Sequence, residues 1–146
     1  MANQKFSIFI KAPKEKVWDA MLSDDSYREW TKAFNGTSRF EGDWSEGSKI
    51  LFIGSDEKTG EEGGMASRVK ENKLHEFISL EHYAILNGGV EEPWAGGAAY
   101  ENYSFNDQDG GTDLRVELIG IPDEYAPMFE EMWPKALQSL KEICER

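Results

Sequence analysis

A chain of 146 residues, 39% hydrophobic and 30% charged, has the length of one domain and the balance of a globular one, so a single domain over 1–146 is expected. Its formal net charge of −12 speaks against nucleic acid and against an anionic membrane surface, both of which are held by clustered Lys and Arg. The lone Cys144 excludes an internal disulfide and any multi-cysteine metal site.

The sequence opens without a basic-then-apolar leader, and no apolar run reaches the ~20 residues of a membrane span. A reducing, cytoplasmic setting and a monomer are therefore expected. "NQKFSIFIKA" alternates, with Phe6, Ile8 and Ile10 on one face, which predicts a strand. In "APKEKVWDAML", Pro13 suits the first helical position, and Val17, Trp18, Met21 and Leu22 follow at helical spacing. "SDDSYREWTKAF" predicts a second short helix carrying Tyr27, Trp30, Ala33 and Phe34. From Gly36 short β-rich runs follow one another, separated by Gly, Asn, Asp and Ser. "NDQDGGTD" reads as a hairpin turn, and "GSDEKTGEEGG" and "NGGVEEPWAGG" read as long acidic loops. Neither "SDEKTGEEGG" nor "NDQDGG" has calcium-loop ligand spacing, so no metal is expected there.

The last twenty or so residues return to helix. Tyr125, Met128, Phe129, Met132, Trp133, Ala136, Leu137, Leu140, Ile143 and Cys144 form one wide stripe, interrupted by Pro134. A kink at 130–134 is expected there, because proline cannot donate to the carbonyl of Glu130. The order of elements predicts an α+β fold: a curved antiparallel sheet wrapped round a long C-terminal helix, with two short helices between strands 1 and 2.

"IKAPKEKVWDAMLSDDSYREWTKAF" resembles the opening of the START-like (SRPBCC) superfamily, and "GDWSEGSKILF", "GGTDLRVEL" and "MWPKALQSLKEICE" resemble its later signatures. Within it the chain is most similar to bacterial proteins related to the activator of heat-shock protein ninety ATPase. The resemblance implies a helix-grip fold, with seven antiparallel strands curled round the final helix and a cavity between. It also brings in functions as varied as lipid carriage, polyketide cyclisation and co-chaperone activity, among which a fold does not choose. With two His and no His-x-x-x-His or Cys-x-x-Cys spacing, neither a metal nor another cofactor is expected.

In "HEFISLEHYAIL" the set Ile78, Leu80, His82, Ala84 and Leu86 is apolar apart from the histidine, and is read as inward. In "GAAYENYSF" the more apolar face carries Ala99, Glu101, Tyr103 and Phe105. A Glu101–His82 pair across the sheet would satisfy a buried carboxylate and supply an acid–base couple. The simpler readings are a core histidine with one hydrogen bond and a surface glutamate in the flipped register. His75 is expected in solvent, Trp18 and Trp30 in the core, and Cys144 as a packed apolar residue. Trp94 is read either as a loop anchor or as a lid over the cavity mouth.

Three functions fit these residues. The favoured one is binding of a small hydrophobic or aromatic molecule by Met65, His82, Trp94, Glu101, Tyr103, Met128, Met132 and Trp133, with Tyr83 nearby; such a set suits an apolar pocket. The others are a cyclase- or hydrolase-like enzyme using Glu101 and His82, and a co-chaperone-like protein-interaction domain.

Overall fold

The computed structural model describes residues 1–94 and 97–146. Strand β1 (Ala2–Ile10) leads into helices α1 (Lys14–Leu22) and α2 (Asp24–Trp30), the second extended by a tight turn over Thr31–Ala33. Seven strands follow: β2 (Arg39–Gly42), β3 (Lys49–Ser55), β4 (Glu62–Lys73), β5 (Phe77–Asn87), β6 (Val90–Pro93), β7 (Ala99–Gln108) and β8 (Gly111–Ile121). Helix α3 (Ala126–Cys144) closes the chain. The fold is α+β as expected, with an antiparallel sheet in the order β1-β8-β7-β5-β4-β3-β2. The expected seven strands are all present, and β6 is an eighth, paired to the end of β5. It lies inside "NGGVEEPWAGG", expected as a loop. Gly88 and Gly89 have positive φ, so Asn87 and Val90 pair across a tight turn. Ala95 and Gly96 of that segment lie outside the described residues.

Local chemistry sets most of these elements. Ile10 is buried, Phe6 and Ile8 pack against the same core, and Lys5 and Ser7 face out. Pro13 sits one position before its expected place, capping α1, whose Val17, Trp18, Met21 and Leu22 are buried. Asp109 and Gly110 both have positive φ and join β7 to β8 in a two-residue hairpin, as the Asp-Gly pair predicts. Half-buried His75 also has a positive φ, and its ring lies edge-on to Trp18 rather than in solvent.

In α3 the buried residues are Trp133, Ala136, Leu137, Leu140 and Cys144. Burial pushes the Cys144 thiol up to about 11, which keeps it protonated and inert. The helix is continuous through Pro134, an exposed position.

Two irregularities in the β4–β5 pairing shape the interior. Lys70 is the extra residue between the Val69↔Leu80 and Glu71↔Ser79 pairs. Tyr83 is the extra residue between Ser67↔His82 and Ala66↔Ala84. A bulge reverses the inward and outward parity of the strand beyond it. Ala84 and Leu86, expected inward with His82, are instead buried in a separate small cluster with Ala66, and Ile85 takes the inner place. Tyr83 packs against that same cluster, with the Arg68 guanidinium 5.3 Å from its ring, and so does not reach the pocket.

Gly64 on β4 comes so close to β3 that a Cβ there would lie 1.8 Å from the Phe52 carbonyl oxygen, at a φ of +152°. Gly64→Ala is therefore expected to destabilise by about 3 kcal/mol in urea denaturation. Gly60→Ala, also at positive φ but with open space around it, is expected to cost only about 1 kcal/mol. Pro134→Ala restores a helical donor at an exposed position and is expected to raise stability by about 1–3 kcal/mol in the same assay. A loss of stability would show that the proline shapes the native helix.

Candidate functional site

Between the sheet, α2 and the first half of α3 lies a pocket of about 300 Å³. α2 and the turn after it contribute Tyr27, Trp30 and Phe34; α3 contributes Met128, Phe129 and Trp133. The sheet supplies Phe52, Met65, His82, Ile85, Glu101, Tyr103 and Leu118. Tyr125 and Met128, 37% and 40% exposed, line the solvent side.

The first half of α3 borders this void and the second half packs solidly. Trp133 marks the change. Its ring lies 5.0 Å from Phe34, 6.0 Å from Trp30, and 6.2 Å from both Phe6 and Tyr103. It fills the space at its level of the helix. Met132, expected among the ligand-contacting residues, does not line the pocket. It stands one position earlier, about 100° round the helix, and is half-buried on the flank.

The other seven residues expected there (Met65, His82, Trp94, Glu101, Tyr103, Met128 and Trp133) all border the pocket. Trp94 is half-buried, and its indole N–H is sealed from solvent without a hydrogen-bond partner among the described residues. Trp30, expected in the core, is both a core residue and a wall of the pocket, its indole N–H bonded to the Met21 carbonyl at 3.1 Å.

His82 and Glu101 in the lining belong to a short chain of side chains. His82 Nε2 is 3.2 Å from Glu101 Oε1, and His82 Nδ1 is 2.6 Å from Ser67 Oγ. Ser67 is directly cross-strand from His82; Glu101 is opposite Leu80, one inward-facing place away. His82 is 2% exposed and Ser67 fully buried, while the Glu101 side chain keeps 15% of its surface. In the neutral imidazole the pattern fits the Nε2–H tautomer: the serine hydroxyl donates to Nδ1, and Nε2–H donates to the carboxylate. Both ring nitrogens of His82 and the Ser67 hydroxyl then have a partner. Phe52 closes the remaining side, its ring edge-on to the imidazole at 5.8 Å.

Glu101 is felt across the pocket. Burial first, and then the negative charge of Glu101, push the Tyr27 phenol well above its ordinary range, so it remains a neutral hydroxyl. Ser67, Tyr27, Phe34 and Ile85 were not anticipated as site residues. The signal for Ser67 was present, as a polar residue in register with inward Met65 and Val69. For Ile85 there was none, because its position depends on the bulge at Tyr83.

Among the described residues no three His, Cys, Asp or Glu side chains converge to hold a metal ion, and no helix is long and apolar enough to cross a membrane.

Solved structures share this architecture across almost the whole chain. Protein CV1439 from Chromobacterium violaceum superposes with a TM-score of 0.73 at 19% identity, over 100% of this chain and 99% of that one. CalU16 from Micromonospora echinospora gives 0.69 at 13% identity, over 97% and 73%. DynU16, a protein in the dynemicin biosynthetic locus, gives 0.71 at 14% identity, over 98% and 47%. At these identities the likeness is one of fold. No curated protein matches the chain. Residues 11–145 match the family described as Activator of Hsp90 ATPase homolog 1-like protein, so this chain belongs to that family, within the START-like superfamily.

Proposed function

We propose that this protein binds a small, largely apolar or aromatic molecule between its sheet and α3. The observation that carries the reading is the pocket's lining: aromatic and aliphatic side chains from α2, α3 and five strands around the Glu101–His82–Ser67 chain. Binding sites for small molecules combine a mostly apolar wall with a few placed polar atoms in this way. The volume of about 300 Å³ lies at the lower end of such sites. The position of DynU16 in a biosynthetic locus is in keeping with the reading.

A second reading has one observation in its favour: the 3.2 Å contact between His82 and Glu101 at the pocket wall is a usable acid–base couple. Fully buried Ser67 serves there as a positioning residue, since a substrate cannot reach its hydroxyl.

In thermal-shift measurements on a panel of aromatic and polycyclic compounds, a ligand at a hundredfold excess over Kd adds about 2.7 kcal/mol and raises Tm by several degrees. Met65→Trp fills the void, and so keeps the fold while abolishing that shift. A panel without any shift, or an undiminished shift in Met65→Trp, overturns ligand binding at this site. Ser67→Ala leaves the buried Nδ1 of His82 unpaired and lowers stability by about 1–3 kcal/mol in urea denaturation. If the acid–base reading holds, Glu101→Gln and His82→Gln each remove turnover of a bound aryl ester while its affinity, measured by calorimetry, persists.

A further inference from the structure

The charge of the lining carries a narrower conclusion, which rests on the ligand-binding reading. We infer that the pocket selects molecules presenting a protonated amine to Glu101, on an apolar or aromatic body, and rejects carboxylates and phosphates.

Four observations converge. Among the described residues lining the pocket, Glu101 is the one acidic side chain, and there is no Lys or Arg. A ligand anion would thus meet a like charge with nothing to balance it, in a site of lower dielectric than water, where repulsion is strengthened. Only one carboxylate oxygen, Oε1, is engaged by His82. Oε2 has no partner among the described residues and is not sealed off as a buried orphan, so it is open to a donor from the pocket side. The walls nearby present the ring faces or edges of Tyr27, Trp30, Tyr103, Phe129 and Trp133. Aromatic faces attract cations through their quadrupoles, more strongly once the cation is desolvated. Finally, the formal charge of −12 draws cations toward the molecule and repels anions.

The three parts act together. The aromatic body of the ligand displaces water from the apolar wall, the ammonium donates to Oε2, and His82 holds Oε1 so that the carboxylate cannot swing away. A neutral donor such as an alcohol satisfies the hydrogen bond without the charge, and so ranks between amine and acid.

Isothermal titration calorimetry with naphthylethylamine, naphthylethanol and naphthylacetate, near neutral pH and at low salt, tests this. The amine is expected to bind at least about tenfold more tightly than the carboxylate, with the alcohol in between. In Glu101→Gln, which keeps shape and removes charge, the advantage of the amine over the alcohol disappears. A carboxylate that binds as well as the amine overturns the inference, as does an amine advantage that survives in Glu101→Gln. If the alcohol binds the wild type without any preference for the amine, the inference fails and the ligand-binding reading stands. If none of the three binds, both fail. Should Glu101→Gln not melt cooperatively, the order of the three compounds on the wild type decides alone.

Discussion

Trp133 is the contact on which this architecture turns. A single indole, 3% exposed, meets Trp30 on α2, Phe34 after the turn that follows it, Phe6 on β1 and Tyr103 on β7. It ties the C-terminal helix to the short helices and to two strands at once. Aromatic rings bury large areas with little side-chain freedom to lose, so such a cluster is stiff as well as apolar. Beyond Trp133, Ala136, Leu137, Leu140 and Cys144 are buried in the core cluster and none of them lines the pocket. Before it, α2 and α3 stand off from the sheet and the pocket opens. An unfilled apolar space is unfavourable by itself. It persists where the surrounding rings are too firmly placed to collapse into it.

A second constraint lies in the sheet. Without the bulge at Tyr83, strict alternation would bring Ala84 inward after His82. With it, Ile85 takes the pocket face, and Ala84 and Leu86 join Ala66 on another surface. A bulge re-aims side chains by adding one residue to one strand. Here it falls immediately after the histidine whose orientation is set by Ser67 on one side and Glu101 on the other. The polar chain is satisfied within the protein apart from the outer oxygen of Glu101. That leaves the pocket with one carboxylate in a mostly apolar wall.

Much of the fold was legible because it follows from local patterns. The alternation of β1, the Asp-Gly turn before β8 and the stripe of α3 are properties of consecutive residues, and each appears where its pattern places it. The shared inward side of His82 and Glu101 was legible for the same reason, since each strand has one more apolar face. Met132 and Ile85 show where the reasoning stops. Met132 belongs to the stripe by spacing, but the stripe is wider than the void it borders. Ile85 sits on the face that alternation calls outward, because a pairing irregularity between two strands intervenes.

The sequence by itself determined the element order, the inward faces of most strands and the amphipathic face of α3, because side-chain period is a short-range property of the backbone. It also set the net charge of −12, since composition needs no coordinates. Only the tertiary structure decided that the core is solid on one side of Trp133 and hollow on the other, that Ser67 completes the His82–Glu101 chain, and that β6 extends the sheet. Those outcomes depend on distances between segments far apart in the chain, and they arise when packing, rather than pattern, selects one arrangement among those the pattern allows.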